Sequence, residues 1–225
     1  DRHFEQFTSH LFQEEMTGST LNMHYTIADP KTFGISEYEP VLPIYHSDQP
    51  EDSKEHCSDL LHRLDRIDPD RLSPENAYTY RLLHRSLEND LALADFPYYN
   101  EPLSPSSGMQ SQLPVLLAEY TFRTKRDVTD YLALLDQIDD YFASLLLYEQ
   151  EKAAAGFFMP ACSSEKVRKQ CDTIVTTEEL AQGTHFLQTT FEDRLSELQK
   201  QGLFTPEETA SLIETNDRLL ATVVQ

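Results

Sequence analysis

Basic residues are scarce in this chain. Its 225 residues include 18 lysines and arginines against 39 aspartates and glutamates, a net charge of −21. Nucleic acids and anionic membrane surfaces are poor partners for such a chain, because like charges repel, whereas a neutral or cationic ligand is compatible with it. Glycine is also sparse, at six residues, and no segment alternates clearly between apolar and polar residues, so an all-β fold is disfavoured. No apolar run reaches the roughly 20 residues that a membrane-spanning helix needs. Cys57, Cys162 and Cys171 show neither CxxC nor mixed Cys/His spacing, which excludes the common structural zinc patterns. HExxH, GxSxG, a Walker loop and GxGxxG are all absent, so no catalytic motif stands on its own. The chain opens at Asp1 without a recognisable export segment, and its compartment is not legible from that end.

What the sequence does contain is helical periodicity over most of its length. Hydrophobic residues make up 39% and aromatic residues 10%, enough for a sizeable core. The spacing predicts an all-α, multi-helix array over residues 1–225, organised around one long central helix from Lys125 to Ala155. Thr124 is placed to cap it, Asp127 suits its positive end, and Gly156 with Pro160 ends it. Along it, Val128, Tyr131, Leu132, Leu135, Ile138, Phe142, Leu145 and Leu146 form the expected apolar stripe, with Leu135 and Phe142 buried. Ser73-Pro74-Glu75 is another strong helix start, combining a cap, a proline at the first position and an early acid. Between Phe33 and Pro50 the periodicity fails, and Pro40, Pro43 and Pro50 predict an extended connection. The last predicted helix, opened by Thr205-Pro206, runs to Gln225 without a stop signal. Its face of Ile213, Leu220 and Val223 is expected to be uncovered and available for self-association or for a missing C-terminal half.

The candidate chemistry is sparse. His10 with Glu14, and His84 with Glu88, have the i, i+4 spacing that puts two side chains on one helix face. A metal needs three or four convergent ligands, so His84 and Glu88 read as a buried polar pair and not as a metal site. Asp136, Asp139 and Asp140 form a DxxDD cluster like those that hold magnesium-diphosphate in helical synthases. No second such motif and no basic cluster accompanies it, so a solvated face is the better reading. Asp139 and Glu149 interrupt the apolar stripe and are further candidates for buried polar residues that need partners. The loop from Tyr98 to Gln112, rich in tyrosine, proline and serine, lies between two strong helices and is expected to be ordered. Tyr98, Tyr99, Gln112, Glu119 and Tyr120 are its candidates for lining a substrate cleft.

The run EPLSPSSGMQSQLPVLLAEYTFRTKRDVTDYLALL, followed by YEQEKAAAGFFMP, resembles the bacterial DUF885 proteins. LNMHYTIADPKTFGI before it and GTHFLQTTFEDRL after it fit the same pattern. The resemblance implies helical zinc metallopeptidases of the gluzincin type, with an architecture similar to carboxypeptidase Taq and the oligopeptidases. In such proteins the HExxH helix and the third zinc ligand lie in the second half, so no catalytic or metal residue carries over to this chain. What is implied here is an N-terminal helical lobe, inactive alone, forming one wall of a peptide cleft whose zinc and catalytic half lie elsewhere. Family members are often exported, which implies an extracellular or cell-surface location. The alternative is a self-sufficient helical module that binds a partner or a small ligand.

Overall fold

The computed structural model describes residues 1–223. Among them there are no strands. The α-helices in chain order are α1 (Arg2–Thr17), α2 (Thr20–Thr26), α3 (Gln49–Leu64), α4 (Pro74–Leu93), α5 (Met109–Glu119), α6 (Lys125–Asp136), α7 (Ile138–Ala154), α8 (Ala161–Ile174), α9 (Thr177–Gln182), α10 (Phe186–Lys200) and α11 (Pro206–Val223). Both strong start signals act as the sequence predicts. The Ser73 hydroxyl accepts from the Asn76 amide at the start of α4. At the start of α6, Thr124 and Asp127 cap each other's amides in a reciprocal box, so the free N–H groups of the first turn are satisfied locally.

The main core is built by α5, α6, α7, α10 and α11. Val128, Tyr131, Leu135, Phe191, Leu195 and Leu220 are fully buried there. The Tyr131 and Phe191 rings stack at 5.3 Å. Arg194 of α10 donates to the carbonyls of Leu117 and Tyr120, and its guanidinium lies 4.4 Å from the Phe122 ring. A cation thus caps the negative end of α5, where carbonyls lack helical partners. A second cluster, formed by Phe4, Phe7, Leu60, Leu64, Tyr80 and Leu87, joins α1, α3 and α4. A third, smaller one joins Met16 of α1 to Met23, Ile27 and Ile35.

Several expectations need correction. The central helix is not continuous. It stops at Asp136 and resumes at Ile138, with Gln137 as a single-residue turn whose amide bonds back only three residues, to Leu134. Nε2 of Gln137 donates to the Ala133 carbonyl at 3.0 Å, the acceptor that the Gln137 amide would have in a continuous helix. Phe142 is half-buried, and Leu146 lies exposed. Asp139 is exposed and interrupts no buried stripe. The face of α11 is covered within the chain: Leu220 is fully buried and Ile213 packs against the main core. That removes the uncovered surface expected there for self-association; the side chain of Val223, and Gln225, lie outside the described residues. Helix α8 starts at Ala161. Cys162 and Cys171 therefore sit on one helix, nine residues apart, which separates them by about 13 Å along its axis.

Candidate functional site

The connection between Gly34 and Asp48 is a strap laid along α6 and α7. Its contacts recur at every seventh residue of that spine: Asp130, Gln137, Ser144 and Glu151. The Tyr38 hydroxyl donates to Asp130 at 2.6 Å, and the Leu42 amide donates to Oε1 of Gln137 at 2.9 Å. The Tyr45 amide donates to the Ser144 hydroxyl at 3.0 Å. At the far end the Tyr45 and Ser47 hydroxyls donate to the two carboxylate oxygens of Glu151, at 2.6 and 2.5 Å. The two lengths match. Twenty-one helical residues from Asp130 to Glu151 rise about 31 Å, and nine extended residues from Tyr38 to Ser47 span about 30 Å. A spacing of seven keeps the polar residues close to one line, drifting only ~20° per repeat.

On the other side of α7, the loop between α4 and α5 is pinned at two points. At its start, the Tyr148 hydroxyl lies 2.9 Å from the carbonyls of both Pro97 and Asn100. Lys152, only 1% exposed, reaches Glu101 at 2.8 Å and Glu149 at 3.9 Å, and donates to the Asn100 carbonyl. A buried ammonium is tolerated only with such partners. At the loop's far end, Nε2 of Gln110 donates to the Ser104 carbonyl and to Gln170, which in turn donates to Pro105. Gly108 is required there: a Cβ at that position would lie 2.2 Å from the Ser104 amide nitrogen and 2.0 Å from Oε1 of Gln110.

Strap and loop wall an open groove of about 550 Å³ whose floor is Tyr141, Leu145 and Tyr148 of α7. Pro43, Ile44 and Tyr45 stand on one side, and Pro97, Asn100, Glu101 and Pro102 on the other. The Tyr45 and Tyr148 rings meet edge to face at 4.8 Å. Hydrogen bonds from Ser47 and Tyr45 hold the Glu151 carboxyl below its usual range. Burial pushes the Tyr148 phenol up to about 12 and raises the Glu149 carboxyl. The groove thus offers rings, proline faces and carbonyls, with its ionic groups engaged in holding the walls.

The sequence-predicted site residues are dispersed. Tyr98 is half-buried against Tyr148 and Phe157, and Tyr99 is 71% exposed, packed edge-on to Phe96. Gln112 and Glu119 are exposed on α5. Tyr120 is buried and stacks at 3.6 Å on His24, in a second cavity on the far side of the strap's beginning. None of the five lines the groove, although the loop that carries Tyr98 and Tyr99 does. Groove residues such as Ile44, Tyr45 and Tyr148 were missed; the signal that points to them is the polar residue at every seventh position of the spine.

His84 is half-buried and Glu88 exposed, so the latter is not a buried polar residue. Nε2 of His84 faces Asp65 at 3.1 Å while Nδ1 faces Glu88 at 3.6 Å. Two carboxylates on opposite ring nitrogens cannot converge on one ion. Among the described residues no three His, Cys, Asp or Glu side chains are grouped to hold a metal. The donor set of the described residues therefore does not fit the zinc that the family resemblance implies for a longer protein.

Residues 31–224 match the family described as "Bacterial protein of unknown function (DUF885)", and the chain belongs to it. Comparison with curated proteins finds no match. Among solved structures, the chain is similar to "the putative lipoprotein from Colwellia psychrerythraea", with a TM-score of 0.73 at 15% identity. The similarity covers 98% of this chain and 37% of that one, so the chain spans little more than a third of that relative's length. At this identity the likeness shows a shared fold. No helix among the described residues is long and apolar enough to cross a membrane.

Proposed function

We propose that this chain is a non-catalytic helical lobe of a DUF885 protein, and that its groove between strap and loop holds an extended peptide as one wall of a larger cleft. The observation that carries this reading is the groove itself: both walls are irregular backbone, yet both are fastened to one helix by hydrogen bonds. Walls held in this way keep their shape without a ligand, and pre-formed sites avoid the ordering cost of binding. Tyrosine and proline faces suit the side chains and backbone of an extended chain and impose no charge requirement. The chemistry on such a peptide, and any zinc, would belong to a part of the longer protein beyond this lobe. A cell-surface or secreted location is consistent with the name of the structural relative and is proposed on that basis. The test is a peptide-binding measurement on the chain and on Ile44→Arg, a substitution at a half-exposed groove position. The account predicts binding by the first and at least about tenfold weaker binding by the second.

A further inference from the structure

We infer that the second cavity, bounded by α2, the start of the strap and the start of α6, is a binding site for a small carboxylate that carries an apolar group. It is separate from the peptide groove and does not depend on that reading. The cavity measures about 450 Å³. Its floor is apolar and flat: Ile27 is buried, and the His24 and Tyr120 rings stack within 13° of parallel. His24 is uncharged, since its Nε2 accepts from the Thr121 amide at 3.1 Å and its proton is therefore on Nδ1. Burial, and then the Arg123 guanidinium beside it, lower its pKa to about 4.

The rim carries Lys31, Arg123 and Arg126. Arg126 is engaged by Asp130 and by the Tyr38 carbonyl. Lys31 and Arg123 have no ion pair among the described residues, in a chain with 39 acidic side chains and 18 basic ones. The two acids at the cavity are committed to backbone amides: Asp29 accepts from Lys31, and Asp127 from Arg123 and Thr124. The capping box thus fills the α6 terminus, which leaves the two free side-chain cations as the anion receptor. A planar carboxylate matches a guanidinium fork. A single negative charge is favoured over a phosphate dianion because two carboxylates stand nearby. The flat floor beneath accepts an apolar or aromatic body.

A free organic acid and the C-terminus of a peptide share this chemistry. The experiment titrates the purified chain with 3-phenylpropionate, its amide, inorganic phosphate, and an acetylated dipeptide ending in phenylalanine, with His24 followed by NMR. The expected result is one saturable site for 3-phenylpropionate within about 10 mM, no binding of the amide, and a raised His24 pKa as the bound anion offsets Arg123. Arg123→Gln and Lys31→Gln, both at exposed positions, should each weaken binding about tenfold or more. Binding of the dipeptide as well would identify the source as peptide ends; binding of the small acid alone would identify it as free acids. Equal binding of the amide or of phosphate, or unchanged affinity in both variants, would overturn the assignment. So would an unmoved His24 titration in the unmodified chain, whatever the variants do.

Discussion

Gln137 holds Leu42 by its amide: Oε1 accepts the Leu42 N–H at 2.9 Å, while Nε2 donates to the Pro40 carbonyl at 3.0 Å and to the Ala133 carbonyl at 3.0 Å. One side chain thereby completes the backbone of the strap and marks the place where the spine changes from α6 to α7. Gln137→Leu should cost about 1–3 kcal/mol, because it strands the Leu42 amide and the Pro40 carbonyl. Urea unfolding measures the cost. Amide exchange at Leu42 should accelerate by more than global stability alone explains, and unchanged exchange there would refute this role for Gln137.

Gly108 sits where the loop folds back on itself. Gly108→Ala would push a methyl group into Ser104 backbone atoms 2.2 and 2.5 Å away. Overpacking of this kind costs about 1–3 kcal/mol. Gly183, by contrast, has open space around its missing Cβ. A melting comparison of Gly108→Ala with the unmodified chain, combined with limited proteolysis, should show both a lower midpoint and cleavage within residues 100–108.

Lys152 fastens the other end of that loop. Lys152→Ala removes a buried partner of Glu101 and of the Asn100 carbonyl. Breaking a buried ionic contact costs about 3–5 kcal/mol, and the exposure of Glu101 places this one at or below the lower end of that range. Lys152→Met, which removes the same ammonium but keeps the packing of the stem, should lose only slightly less. A Lys152→Met variant as stable as the unmodified chain would show that packing, and not the ion pair, secures the loop.

His24 gives the fold a pH dependence of definite sign. Its pKa falls from the ordinary 6.5 to about 4 on folding, through burial first and the nearby Arg123 second. Between those values the unfolded chain binds the proton and the folded chain does not, so stability rises with pH across the window. The contribution is fully present above about pH 6.5 and declines as pH drops toward 4, by on the order of 2–3 kcal/mol. Denaturation midpoints for the unmodified chain and for His24→Gln, whose amide oxygen can accept the same Thr121 N–H, should converge as pH falls from 7 to 4. Parallel curves would rule this out.

Helix existence was legible because its signals are local. Ser73-Pro74 and Thr124 fix starts through their own side chains, and the apolar spacing of Tyr131 and Leu135 identifies the buried face. The strap was legible only as a failure of periodicity with three prolines. Its partners, Asp130, Gln137, Ser144 and Glu151, look like ordinary helix-surface polarity, because what they bind lies about a hundred residues away: backbone amides for Gln137 and Ser144, and the hydroxyls of Tyr38, Tyr45 and Ser47 for the two acids. The same reason hides the groove. The loop's order followed from its composition, but Tyr99 packs against Phe96 and Phe157, and Tyr98 meets Tyr148 and Phe157 without lining the groove. Nothing in the sequence of α11 itself shows that α6 and α10 cover its apolar face.

The groove reading is tested most directly by mapping the binding of an extended, uncharged peptide onto the chain by NMR chemical-shift changes. The account predicts saturable shifts concentrated at Ile44, Tyr45, Asn100, Met109, Leu145 and Tyr148, lost in Ile44→Arg and retained in Tyr99→Ala. Shifts centred on Tyr99, Gln112 and Glu119, or no saturable shifts at millimolar peptide, would contradict it.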